Sequence, residues 1–124
     1  MDTNASKLMS HVQEGVTIVR FTDTKVIDQR NINLIGAELV EMVEKGGSRK
    51  MLVNLENVQY LSSAVLGKLI SLSKALRMNK GVLKLCCIAA PIFEVFEITR
   101  LDRVFDIYRT EAEALEAFRP GSET

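Results

Sequence analysis

The sequence has no tryptophan, one histidine, two cysteines and two prolines, and its sixteen basic residues are matched by sixteen acidic ones. Each shortage removes a class of function. His11 stands alone without the further ligands that a metal site needs, and the adjacent Cys86-Cys87 lacks the two-residue spacer of a redox or zinc pair. Neighbouring residues of a strand point to opposite faces, so this pair is expected to be two reduced, buried thiols without an unstrained bridge. Balanced charge gives no positive field to draw the chain onto nucleic acid or an anionic lipid surface, so neither is expected as a direct partner. No apolar run approaches the ~20 residues of a membrane span. The polar start MDTNASK also lacks the layout of a signal peptide, and a cytoplasmic protein is expected. Gly46-Gly47 follows a helical pattern where a phosphate-cradling loop would open one, and Gly67 and Gly81 are isolated. No cofactor and no metal are expected.

What is present suits one domain. The 124 residues are 47% apolar and 26% charged, enough to bury a self-sufficient core. A single domain over 1–124 is expected, ordered over about 8–118, with a polar tail at 119–124 (RPGSET) that should fray.

Two β-prone runs, Leu8 to Gln13 and Val16 to Phe21, flank Glu14-Gly15 and predict an antiparallel hairpin. Ile32, Ile35, Leu39, Met42 and Val43 then follow helical spacing, with Asp28 as N-cap and Gly46-Gly47 as a left-handed stop. Met51 to Leu55 reads as a buried strand, and Leu66, Leu69, Leu72 or Ser73, and Leu76 mark a second helix from about Ser63 to Asn79. Val82 to Ile88 is the next strand, Pro91 suits the first turn of a third helix, and Val104 to Tyr108 is a short late strand. Thr110 and Glu113 form a capping box for a last helix ending near Phe118. The order ββαβαβαβα implies an α/β fold, with a four- to five-stranded mixed sheet and about four helices.

Few residues suggest chemistry. Ile92, Phe93 and Phe96 read as the core face of the third helix. Gly36, inside the first helix, costs about 1 kcal/mol relative to alanine and hints at a close approach to its backbone. The segment Asn57 to Gly67 (NVQYLSSAVLG) stands apart because it places two hydroxyls where a loop becomes a helix. A cap accounts for one serine. A second serine at a helix start is an exposed hydroxyl in a positive backbone field, where its own protein tolerates a phosphate and a docked partner does not. Catalysis by such a serine needs a base and an oxyanion hole, and nothing ties the sole histidine to it. No enzyme is expected.

This segment and the element order resemble the STAS family, shared by sulphate transporters and bacterial anti-sigma factor antagonists. Val58, Tyr60 and Leu61 fit the family's lead-in, Ser63 falls on the phosphorylatable serine, and Leu66 and Gly67 fit the end of its signature. The run Phe96 to Asp102 (FEITRLD) into Val104 to Ile107 is similar to its third helix, turn and late strand. Ser62 replaces the usual aspartate, Ala64 a second hydroxyl residue and Val65 the first glycine.

The resemblance implies a regulator that binds an anti-sigma factor serine kinase and so frees a sigma factor. That kinase ends the binding by phosphorylation, and a metal-dependent serine phosphatase restores it. Ser63 is then the acceptor, with Ser62 the alternative. Ser62, Ser63, Ala64, Val65, Gly67 and Lys68 form the docking surface, together with nearby first-helix residues. The alternative reading is an interaction scaffold or ligand-sensing module of the same fold, without phosphate control.

Overall fold

Glu14 and Gly15 take φ values of 54° and 82°, the paired left-handed conformation that lets a two-residue turn match the twist of its strands. The turn joins β1 (Leu8–Gln13) to β2 (Val16–Phe21) in antiparallel register, with Gln13 opposite Val16. The computed structural model describes residues 7–120. After the hairpin come β3 (Lys25–Val26), α1 (Gln29–Glu44), β4 (Lys50–Asn54), β5 (Tyr60–Leu61) and α2 (Ser63–Met78). The chain continues through β6 (Val82–Cys86), α3 (Ala90–Ile98), a 3₁₀ turn (Leu101–Arg103), β7 (Asp106–Tyr108) and α4 (Glu111–Phe118).

The main sheet runs β1-β2-β4-β6-β7, with β2, β4, β6 and β7 mutually parallel. Each crossover steps in the same direction, so right-handed connections bring α1, α2 and α3 to one face. Side-chain alternation then divides the interior in two. Val19, Phe21, Met51, Val53, Leu83 and Leu85 share a core with helical residues that include Ile32, Leu39, Leu69, Leu76 and Phe96. On the opposite face Val16, Ile18, Leu52 and Cys86 pack against Ala114, Leu115 and Phe118 of α4.

That second face also carries the buried polar groups. Asn54 Nδ2 donates to Glu111 Oε1 at 2.8 Å, Asn54 Oδ1 accepts from the Glu56 N–H at 2.8 Å, and Arg20 pairs with the same Glu111 oxygen. Lys84 lies under Phe118 and Tyr108, with Nζ 5.2 Å and 5.4 Å from their ring centroids and 3.2 Å from Asp106 Oδ2. Each of these polar side chains has a partner, so burial leaves none of them unsatisfied.

Caps fall as the sequence predicts. Asp28 accepts from the Arg30 N–H, Thr110 accepts from the Glu113 N–H, and Gly47 takes φ 77° after α1. The close approach hinted at by Gly36 is real: a Cβ there would lie 2.5 Å from Cδ of Lys68, whose stem crosses the gap between α1 and α2.

Four features depart from the sequence expectation. β3 and β5 pair as a separate parallel ribbon of two residues each, too short to show a period. The late strand starts at Asp106 and not at Val104, because the 3₁₀ turn and the helical conformation of Val104 consume the first residues. β6 stops at Cys86 and not at Ile88, because Cys87 adopts φ 63°. Arg119, assigned to the fraying tail, pairs with Glu14 and Glu116; positions 121–124 of that tail lie outside the described residues.

Candidate functional site

The junction between β5 and α2 is fixed from below by the small ribbon. Gln59 and Tyr60 donate their N–H groups to the carbonyl of Thr24, and Ser62 donates its N–H to the carbonyl of Val26 at 3.0 Å. Lys25 Nζ sits 5.4 Å from the Tyr60 ring centroid and closes the outer side. The chain therefore enters α2 at a defined angle.

The two serines divide the work at this entry. Ser62 is extended (φ −74°, ψ 149°), and its Oγ accepts from the Ala64 N–H at 3.1 Å, which makes it the N-cap. Ser63 is the first helical residue and is exposed, and no hydrogen bond among the described residues holds its hydroxyl. Replacing Ser62 by alanine is expected to cost about 1 kcal/mol of stability, the usual value of a lost cap. A lower urea midpoint at unchanged m-value checks this.

Only part of the expected docking surface reaches solvent. Ser63 and Gly67 lie one turn apart on the exposed side of α2, where a Cβ at Gly67 would meet nothing within 4 Å. Ala64 is half-buried against the core, and Lys68 is half-buried with its stem over Gly36. Val65 is a correction: it is 1% exposed, with its side chain among the core residues, so a partner cannot touch it. Its place in α2, four residues before the buried Leu69, puts it on the sheet-facing side with Leu66, Leu69 and Leu72.

Sequence reasoning missed the groove beside this junction. Its volume is about 420 Å³, and Tyr60, Leu61, Ala89, Pro91, Ile92 and Val95 give it mainly apolar walls. Tyr60 and Val95 are both exposed. The residues come from β5 and from the start of α3, more than twenty-five positions apart in the chain, so no local pattern announces them.

Other candidates fall elsewhere. His11 is exposed on β1 opposite Ile18, on the sheet face that α4 covers, whereas α2 packs on the other. Ser63 thus has no histidine base. Ile92 and Phe96 are buried as a helix core face requires, while Phe93 is half-buried. Among the described residues, no group of three or more His, Cys, Asp or Glu side chains could hold a metal ion.

The cysteines also need correcting. Cys86 is fully buried but Cys87 only partly so, and their sulfurs do not diverge: Cys87 Sγ lies 3.5 Å from Cys86 Sγ. The left-handed backbone at Cys87 breaks the strand alternation that would separate them. Both are free thiols. Burial pushes the Cys86 thiol far above its usual range, and the hydrogen bond with Cys87 adds to the rise.

The profile of the STAS domain family matches residues 7–114. BtrV of Bordetella bronchiseptica, named provisionally as an anti-sigma factor antagonist, is 33% identical over 94 residues, covering 76% of this chain and 80% of that one. An anti-sigma-B factor antagonist of Staphylococcus aureus is 32% identical over 90 residues, covering 71% and 83%. Among solved structures, an anti-sigma-factor antagonist (STAS) domain protein of Planctomyces limnophilus superposes with a TM-score of 0.79 at 25% identity, covering 89% and 96%.

Proposed function

The chain belongs to the STAS domain family, and from that membership we propose that it is an anti-sigma factor antagonist that docks through the start of α2. It acts by occupying a partner and carries out no catalysis of its own. The relatives named as antagonists of anti-sigma factors support this reading. The finer mechanism is partner switching: the protein binds an anti-sigma factor serine kinase, the kinase phosphorylates Ser63, and a serine phosphatase reverses the modification.

The observation that carries this reading is the division of labour between the two serines. With Ser62 occupied as cap, Ser63 is an exposed hydroxyl that the fold does not need. A phosphate there would sit at the positive end of α2, so the folded state accepts it. The exposed face through Ser63 and Gly67, flanked by the apolar groove, is the surface a partner would cover.

Incubation with ATP and an anti-sigma factor serine kinase from the same organism, followed by peptide mass spectrometry, is the test. One phosphate on Ser63 is expected, with Ser63→Ala unmodified and Ser62→Ala still modified. Phosphate on Ser62, or none where that kinase is active, would count against the mechanism.

A further inference from the structure

Cys86 and Cys87 lie on the opposite side of the sheet from α2 and take no part in the docking surface. We propose that they form a dithiol site for trivalent arsenicals. Their sulfurs are 3.5 Å apart in the reduced protein, held by the left-handed turn at Cys87 and by its N–H, which donates to the carbonyl of Tyr108 at 3.2 Å. An atom roughly 2.3 Å from each sulfur, the length of a zinc–thiolate bond, would bridge that gap at an angle of about 100°. That is the pyramidal angle of trivalent arsenic. Zinc would need two further ligands, and the described residues supply no such cluster.

The same geometry disfavours a direct disulfide. Consecutive Cα atoms are about 3.8 Å apart, below the usual disulfide range of about 4.4–6.8 Å, and the sulfurs would have to close to about 2.05 Å. A bridging atom asks for no such closure.

The reaction needs no oxidant. A hydrated organoarsenical, R–As(OH)₂, exchanges its two As–O bonds for two As–S bonds. Each thiol proton leaves with a hydroxide as water, and arsenic stays trivalent. Cys87, only partly buried, is the entry point. Once it is bound, Cys86 is already in contact, so the second bond forms at high effective concentration.

Phenylarsine oxide added to the folded full-length protein tests this by intact mass spectrometry. One phenylarsenic group per chain is expected, with two thiol protons lost. The adduct should survive excess monothiol and be removed by a dithiol such as dithiothreitol. Cys87→Ser should retain at least about tenfold less adduct under monothiol challenge, as should Cys86→Ala, which keeps the buried site apolar; circular dichroism establishes that both are folded. No adduct on the folded protein, an adduct only in urea, equal retention by either single variant, or prior closure of the pair to a disulfide would each overturn the proposal.

Discussion

With phosphate on Ser63, the protein is expected to bind its kinase partner at least about a hundredfold more weakly, a loss of roughly 3 kcal/mol. Its unfolding temperature should barely change. The two halves of this result have different causes. At the interface, a dianion replaces a neutral hydroxyl on a surface that the partner must desolvate, and a charge left without a counter-ion there costs several kcal/mol. Within the fold, Ser63 is exposed and its hydroxyl bonds to nothing described, so no packing is lost. The field at the helix start then offsets part of the charge. Titration calorimetry on the phosphorylated and unphosphorylated protein, paired with thermal melts, reads both. Ser63→Ala should bind like the native protein. Ser63→Asp, with less charge than phosphoserine, should fall between. A phosphorylated form that binds within about threefold of the native would refute the switch. A collapse of the melting temperature would show that phosphate acts by unfolding the chain.

Truncating Phe96 to alanine should destabilise the protein by about 3–5 kcal/mol, the usual range for a fully buried phenylalanine. Its side chain is fully buried in the larger core, and its ring stands 6.0 Å from that of Phe105 at 66°. α3 has only nine residues and no side-chain N-cap, so it depends on this anchor more than the longer helices depend on any one residue. The 3₁₀ turn packs against the same helix and should loosen with it. Urea unfolding gives the magnitude, and hydrogen exchange over Leu101–Tyr108 should rise first. Phe93→Ala, at a half-buried position lining a cavity of about 670 Å³ with Ile88, Ile107 and Tyr108, should cost clearly less. Equal losses would mean that the ring contact with Phe105 contributes nothing.

Long periodic segments are legible in the sequence alone. The helix through Ile32, Ile35, Leu39 and Val43 and the hairpin around Glu14-Gly15 both stand where the local pattern places them. The caps at Asp28 and Thr110 and the hydroxyls at Ser62 and Ser63 were equally visible, because each is a local event. What escaped depends on residues distant in sequence or on a single backbone angle. Glu111 meets Arg20 and Asn54 across separations of 91 and 57 residues. The groove beside Tyr60 needs α3 to pass near β5. One positive φ at Cys87 ended a strand early and turned two diverging thiols into neighbours. Val65 differs for another reason: its position in the signature suggests contact, while its position on the helix dictates burial.

The main sheet grows in chain order, each strand after β1 joining the one laid down just before it in that sheet. Such an arrangement suits synthesis from the ribosome. Each emerging strand finds its template already formed, and the nascent edge advances without waiting for distant sequence. The helices between strands shelter one side as it extends, while α4, which follows β7, shuts the other. Until α4 emerges, Val16, Ile18 and Leu52 stay open to solvent, so a product stalled or cut before it should be the species that chaperones hold.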